Sequence, residues 1–412
     1  MTQIHATEVR RTGWRPFVSA LSRPIFVLLC LQLMGGIILS PHRTFFPIYL
    51  KELGHPVLVI AALSTIQQIA GLIGSWVGGA LSDLLGRKPT LLLGQLGPLL
   101  ASLAFLTPWP GLIVPLWALN GFCGGVHTVG AQSYLLDAAQ PGFLGLLTAF
   151  YNWGTTLGGA LGSPLAGWVL DGWGYRAFGM LLGLLSLAAL ATNLLFLPPS
   201  AGPAESRTTG QSRLFHYGNI IVRPTAIVLA LLRFLPTLYW GMALTLIPLL
   251  FTAAGASKTT VALYATVSQV AASLGQIVVG RIADRAGCKW VVVITFAVLV
   301  SSILGTGILS DRLEGLFIFG TLGTTAAWSL STLLPSLVAH AMEPEERGRV
   351  LGWVHLWWNL GMILGALGGG FLFTYRAGLP FFAVAGLNCA SIALVFVFFR
   401  LSQSHAGREP GC

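Results

Sequence analysis

Charge is what this sequence lacks most: only 9% of its 412 residues are Asp, Glu, Lys or Arg. Soluble domains carry about 25%, so this chain cannot clothe a folded surface that faces water. Acids are the scarcer sign, 13 against 23 Lys and Arg. All of them map to termini, loops or the ends of apolar runs, with Asp137 coming nearest to an apolar interior. Five cysteines (Cys30, Cys123, Cys288, Cys389 and Cys412) show neither CxxC spacing nor pairing, which excludes a disulfide or zinc framework. A G-x-x-x-x-G-K-[ST] loop is missing, and with it nucleotide drive within the chain. No cluster of acid, base and metal-ligand residues is present of the kind a membrane-embedded enzyme needs. No cofactor is expected, and no polar stretch is long enough for a separate soluble domain.

What remains is apolar. Hydrophobic residues make up 55% of the chain and the mean hydropathy is +0.78. At roughly 20 residues per crossing, the length leaves room for about twelve helices with short loops. Apolar runs of that size fall near 24–50, 57–81, 89–107, 111–137, 143–170, 176–197, 224–252, 259–283, 290–309, 315–340, 348–374 and 379–400. The first is too long and too far in to be a cleaved signal peptide, and is expected to stay as the first span. A polar stretch at 199–222, containing Pro198-Pro199 at its edge and Gly202-Pro203, reads as a linker. The expected organisation is a tail at 1–23, six helices in 24–198, the linker, six more in 223–400, and a tail at 401–412. On this map sixteen of the Lys and Arg fall on one side, six toward the other, and Arg233 alone lies deep in a span. That bias is the positive-inside rule. It predicts both termini in the cytoplasm and accounts for the net charge of +10 without a nucleic-acid partner.

The two halves repeat. A shift of 201 positions pairs Pro47 with Pro248, Gly54 with Gly255, Ala61 with Ala262 and Gln68 with Gln269. The same register continues through Gly74/Gly275, Gly79/Gly280, Asp83/Asp284, Gly86/Gly287 and Lys88/Lys289. Glycines match by chance, but Pro, Gln, Asp and Lys do not hold one register by chance. An even number of spans per repeat leaves both halves in one orientation, related by an axis along the membrane normal. A substrate site is then expected near the midplane between them.

The segment Gly79-Ala80-Leu81-Ser82-Asp83-Leu84-Leu85-Gly86-Arg87-Lys88-Pro89 resembles the signature loop after helix 2 of the major facilitator superfamily. Its weaker copy, Gly280 to Lys289 with Cys288 in place of the usual arginine, falls after helix 8, where that family repeats it. The resemblance covers nearly the whole chain. It implies an all-α membrane protein of twelve transmembrane helices in two pseudo-symmetric six-helix bundles. It further implies a conformational latch of Gly79, Asp83, Gly86, Arg87, Lys88, Gly280, Asp284, Gly287 and Lys289. In it Asp83 would meet the start of helix 11 near Arg347–Val350, and Asp284 the start of helix 5. From the residues alone, the glycines permit a tight exit from helix 2 and a turn into helix 3, and Asp83 can pair with Arg87. The run Gly158-Gly159-Ala160-Leu161-Gly162-Ser163-Pro164-Leu165-Ala166-Gly167 resembles a degraded glycine-proline motif of drug–proton antiporters, which implies export. Small-residue packing around a proline bend is the other reading.

Polar groups within spans are costly and by default line a path. Arg233 lies nine residues past Pro224, about 14 Å along a helix and near the midplane. With Thr237 and Trp240 it shares one helix face. A guanidinium there binds carboxylate or phosphate, or else snorkels toward the cytoplasm or meets helix-end carbonyls. On helix 4, Asn120, His127 and Tyr134 share a face. His127 either carries a coupling proton or packs as a hydrogen-bonded histidine. Asp137 is the second candidate for proton coupling. Gln32, Gln68, Asn152, Gln269, Gln276, His355 and Asn359 complete the expected substrate cavity.

For want of a buried carboxylate counter-ion, a cationic cargo is disfavoured and a neutral or anionic one favoured. The sequence therefore reads as a secondary transporter, not an enzyme, working by alternating access. It is expected to act as a monomer in a bacterial or archaeal inner membrane and to export small amphiphilic or anionic compounds, with proton coupling open. An importer or facilitator of a sugar or carboxylate is the alternative of the same fold. A non-transporting membrane sensor is the alternative of another class.

Overall fold

The computed structural model describes residues 21–139, 144–199 and 222–405. Most of both tails and most of the linker expected at 199–222 lie outside these, and the last helix runs to His405, into the tail expected from 401. The described chain is helical throughout. The elements are α1 (Arg23–Glu52), α2 (Val57–Leu84), α3 (Arg87–Leu106) and α4 (Pro110–Ala138). A 53-residue run, Leu144–Phe196, follows and is broken at Gly174, where the backbone leaves helical geometry (φ 73°, ψ −172°). At 1.5 Å per residue that run is about twice as long as a bilayer needs, and it folds as two crossings, α5 (144–173) and α6 (175–196). Then come α7 (Pro224–Ala253), α8 (Lys258–Ala286), α9 (Cys288–Ile308), α10 (Leu313–Ala341), α11 (Pro344–Phe373) and α12 (Leu379–His405). The expected spans fall on these helices in order. Only the α5–α6 elbow is more continuous than the sequence suggests.

The repeat is written in the backbone. Five described residues have positive φ, all glycines: Gly54 (87°), Gly86 (89°), Gly174 (73°), Gly255 (83°) and Gly287 (84°). Four of them form two pairs in the register of the sequence shift, Gly54 with Gly255 and Gly86 with Gly287. Each ends or opens a helix in a conformation that disfavours a side chain, so both halves turn by the same device at the same places. Gly79 is different. It lies inside α2, which runs on to Leu84, with open space beside it. The tight exit expected of it is made by Gly86 instead.

Lipid tails are as apolar as leucine, so helices associate in a membrane by close packing and not by a hydrophobic drive. In the first half the backbones meet through glycine. A Cβ on Gly158 would run into the backbone of Leu33, Gly36 and Ile37, and one on Gly162 into Ile37, which locks α5 on α1. Gly74, Gly121 and Gly125 bring α2 and α4 together in the same way. In the second half Gly241 meets Met362 and Gly365 meets Leu238, the corresponding α7–α11 crossing. The α8–α10 crossing departs from the pattern: Gly320 receives the Tyr264 ring and Gly275 the Thr325 methyl. Aromatic rings fill the first half's end away from the basic-rich side. Phe46 stacks on Trp117, and Tyr49, Phe105, Tyr175 and Phe178 pack ring against ring beside them.

Packing thus uses the small residues of 158–167 directly. A Gly158→Ala substitution, whose methyl meets backbone that cannot move aside, is expected to cost about 1–3 kcal/mol. The apparent melting temperature of the purified protein in detergent should fall by several degrees. Gly79→Ala, with open space beside it, should leave the melting temperature unchanged. Equal melting of the two variants would refute this account of the α1–α5 crossing.

Candidate functional site

The halves touch along two seams, α5 against α8 and α2 against α11, with α1 and α7 facing each other between them. Among the described residues, hydrogen bonds between the halves gather toward the side with fewer basic residues. There Thr245 Oγ1 donates to Ser64 Oγ (3.2 Å) and Gln269 Nε2 donates to Ser40 Oγ (2.6 Å), Ser40 being tied within its own half to Ser163 (3.1 Å). The two seams repeat each other: Ala262 sits against Gly167, and Ala61 against Gly370. Toward the basic-rich side, Asn152 is exposed although it shares a helix face with Gly159 and Gly167, whose surfaces meet α8 lower down. The halves therefore part toward the basic-rich side and close on the other.

Arg233 lies nine residues inside α7, with its side chain partly buried. Its Nη1 donates to Ser331 Oγ on α10 (2.5 Å), and its Cζ lies 5.8 Å from the Trp358 ring of α11. The other face of that environment belongs to His355, whose ring stacks on Trp358 at 5.1 Å and 16°. Trp353 and Trp357 extend the aromatic surface along α11, and Phe234 packs edge-on against Trp357. Beside Arg233 an apolar pocket is lined by Leu232, Pro236, Phe296, Leu330 and Leu334 among others. Arg233 has no carboxylate partner among the described residues. Its hydroxyl and ring contacts leave donors free, since a guanidinium carries five. Chemically, this is a fixed positive charge beside flat apolar faces, which suits a small organic anion with an aromatic or otherwise planar body. The expectation that Arg233 snorkels away or meets helix-end carbonyls is not what its contacts show.

The remaining expected residues divide by location. Thr237 is buried, donates to the Arg233 carbonyl (2.7 Å) and packs on Gly361, so it belongs to the α7–α11 crossing. Trp240 pairs edge-on with Trp328. Asn120 is 3% exposed and its surroundings include Gly97 of α3, which puts it inside the first bundle and corrects its placement in the cavity. His127 is half-buried with Gly94 of α3 against its Cα, and Tyr134 is buried and donates to the Pro198 carbonyl (2.9 Å). The shared face of α4 thus turns into its own bundle. Gln32 donates to Thr155 (2.5 Å), and Gln276 accepts from Thr332 (2.9 Å); each ties two helices of one half. Asn359 donates to the His355 carbonyl one turn back (2.9 Å). Gln68 is half-buried without a hydrogen bond among the described residues. Its repeat mate Gln269 bridges the halves.

The signature loop is built as a knot within its own half. Arg87, 8% exposed, donates to Asp83 (2.8 Å), Asp137 (2.8 Å) and the Ser82 carbonyl (2.7 Å). Asp137 is thereby engaged in an ion pair at the end of α4. Lys88 donates to the Leu194 carbonyl (2.9 Å). Arg347, on the expected partner helix, donates to the Ala339 and Met342 carbonyls of its own half. Asp83 is paired with Arg87 of its own half. In the second loop Asp284 is exposed and Lys289 lies over Trp290 and Phe396.

Two partners at the Arg233 site were not singled out from the sequence. Trp358 lies three residues after His355, on one helix face, a spacing that was legible. Ser331 was not, since nothing in a run of small and apolar residues marks which serine meets a charge on another helix.

Comparison with known proteins places these features. A gallate transporter of Pseudomonas putida is 26% identical over 374 residues, 82% of each chain. The MFS-type transporter YcaD of Salmonella typhimurium is 24% identical over 413 residues, 95% of this chain and 98% of its own. Among solved structures, a bacterial homologue of the human lysosomal transporter Spinster, in an inward-facing and occupied conformation, superposes with a TM-score of 0.72 at 12% identity. It covers 94% of this chain and 97% of its own. A D-xylose–proton symporter gives 0.72 at 16% identity, covering 91% and 98%. The sequence profile of the Major Facilitator Superfamily matches residues 25–239 and 229–411, taking in both bundles and both signature loops: the chain belongs to the major facilitator superfamily.

Proposed function

We propose that this membrane transporter moves small organic anions, planar carboxylates foremost, by alternating access, with Arg233 as the group that receives the negative charge. The observation that carries the reading is a guanidinium deep among the helices whose contacts are a hydroxyl and an aromatic ring, with no acid among the described residues to neutralise it. Holding a bare cation in such a place is costly, and a bound anion offsets that cost. Trp358 and His355 supply flat faces for the body of the substrate. The gallate transporter among the relatives carries a trihydroxybenzoate, an anion of this kind.

Proton coupling, where it operates, falls to His355, which shares the Trp358 face with Arg233 and so feels both the cation and its anion. Export is the direction we assign, on the likeness of 158–167 to the antiporter motif. The basic-rich side is taken as cytoplasmic under the positive-inside rule, which puts both termini inside a bacterial inner membrane and the open side of this conformation toward the cytoplasm. The working unit is the monomer, since both seams close within one chain. The signature loops act as the latch on the open side, Asp83 exchanging its in-half pairing for the start of α11 when that side closes.

Purified protein in liposomes holding a pH-sensitive dye tests the reading with gallate, benzoate, a neutral phenol and an aromatic cation. Anions should move and cations should not. Arg233→Ala should weaken the apparent affinity for anions by about 10- to 100-fold, the loss expected for one or two charge-assisted hydrogen bonds. Arg233→Lys should recover part of it, having charge without the fork. His355→Asn should abolish anion-dependent proton movement while leaving anion exchange. Normal anion transport by Arg233→Ala sinks the proposal, as does movement of cations alone.

A further inference from the structure

The first backbone N–H groups of an α-helix have no partner inside the helix. Of the first three in α8 one is satisfied locally: Ser257 caps the helix, its Oγ accepting from Thr260 N (3.1 Å), and the regular helix bonds begin with Val261 N on the Ser257 carbonyl (3.1 Å). The other two are satisfied from the opposite half of the molecule. Asp171 Oδ1 accepts from Lys258 N (3.0 Å) and Oδ2 from Thr259 N (2.9 Å). Both carboxylate oxygens are thus spent on the N-terminus of a helix in the other bundle, where a negative charge also meets the positive end of the helix dipole. Next to it, Lys258 Nζ lies 3.2 Å from Glu52 at the end of α1 and 4.9 Å from the Tyr175 ring at the start of α6. Three elements of the first half therefore grip one turn of the second. The grip is held in place by the α5–α6 elbow, where Gly174 with its positive φ follows Asp171 by three residues.

The repeat makes this contact informative. The α2–α11 seam is the pseudo-symmetric mate of the α5–α8 seam, with Ala61 on Gly370 where the other has Ala262 on Gly167. That mate has no such grip. Helix α2 opens at Val57 after Pro56 without a side-chain cap, and Thr374, which stands four residues past Gly370 as Asp171 stands four past Gly167, donates its hydroxyl to the Phe371 carbonyl of its own helix (2.7 Å). Two seams of common origin, one bolted by charge and one merely packed, are not what structural support of the fold requires. It is what a one-sided closure requires.

We infer that Asp171, with Lys258 and Glu52, is the latch of the closed side: it holds the less basic face shut and is released each time the halves rock to open it. Opening that face pulls α5 from α8, so the Asp171 carboxylate leaves two N–H groups that have no other partner and Lys258 leaves both Glu52 and Tyr175. The groups are at the membrane surface, where water replaces lost bonds. The latch therefore biases the equilibrium without blocking it. It is distinct from the signature loops, which lie at the opposite ends of the helices, and it does not depend on which substrate is carried.

The test is a distance measurement on the full chain in nanodiscs without substrate. Spin labels are placed at Pro108→Cys and Asp311→Cys, on exposed loops of the two halves at that face and away from the seam, after replacement of the native cysteines. The wild-type background should give a short-distance population, and Asp171→Asn should transfer population to longer distances, changing the closed-to-open ratio on the order of tenfold. Lys258→Met, which leaves the two backbone bonds to Asp171, should give a smaller shift in the same direction. Thr374→Ala on the mate seam should give none. Should Asp171→Asn not yield monodisperse protein, Lys258→Met and Glu52→Gln carry the test. Unchanged distances in the variants that fold, or an equal shift from Thr374→Ala, would overturn the inference.

Discussion

Backbone against backbone is the contact on which this molecule depends. Helices in lipid gain nothing by hiding leucine from leucine, so they stay together where they can approach closely enough for many small attractions to accumulate. Glycine supplies that closeness. At Gly36, Gly158 and Gly162 the α1–α5 crossing admits no methyl group, and at Gly241 and Gly365 the α7–α11 crossing repeats it. These tight pairs make each half a body that can move as a unit. Between the halves the surfaces are different: small residues at Ala262/Gly167 and Ala61/Gly370, single hydroxyl pairs such as Thr245–Ser64, and one charged grip at Asp171. Within a half the helices lock backbone on backbone, and between the halves packed small residues alternate with single polar pairs.

The same contrast explains where charge is found. Nearly all of it is confined to the ends of helices, where it ties elements together: the Arg87 knot with Asp83 and Asp137 on one side, and Lys258 with Glu52 on the other. Among the described residues Arg233 meets only Ser331 and the Trp358 ring, and that separates it from these ion pairs. Its setting among tryptophans on α11 gives the site a flat, apolar body with one cationic point.

The repeat is also not exact, and its departures carry meaning. Gly54/Gly255 and Gly86/Gly287 keep the same backbone shape in both halves, so the turns that set the topology have been held in register. The residues at the helix surfaces have diverged. Gln269 bonds across to Ser40 whereas Gln68 bonds to nothing described, and Asp171 caps α8 whereas Thr374 turns back on its own helix. Equal frames with unequal contacts let the two seams of one cycle differ in strength.

The sequence by itself determined the crossings, their number and their order, because the cost of burying polar backbone and charge in lipid acts on every residue of a span and leaves a signal some twenty residues long. It also determined the repeat, since Gly, Pro, Asp and Lys at turns are set by local backbone geometry and persist at one shift. It marked Arg233, because a charge in an apolar run is conspicuous whatever surrounds it. Which way each polar face turns was decided only by the tertiary structure. Asn120, His127 and Tyr134 share a face as their spacing requires, yet that face looks into its own bundle. Asp137 is taken up by Arg87, and Gly79 faces open space. Ser331, Trp358 and Asp171 gained their roles from helices a hundred or so residues away in sequence or in the opposite half. Helical spacing fixes which residues stand together on one helix. What they meet depends on how the helices cross, and no local pattern of residues records that.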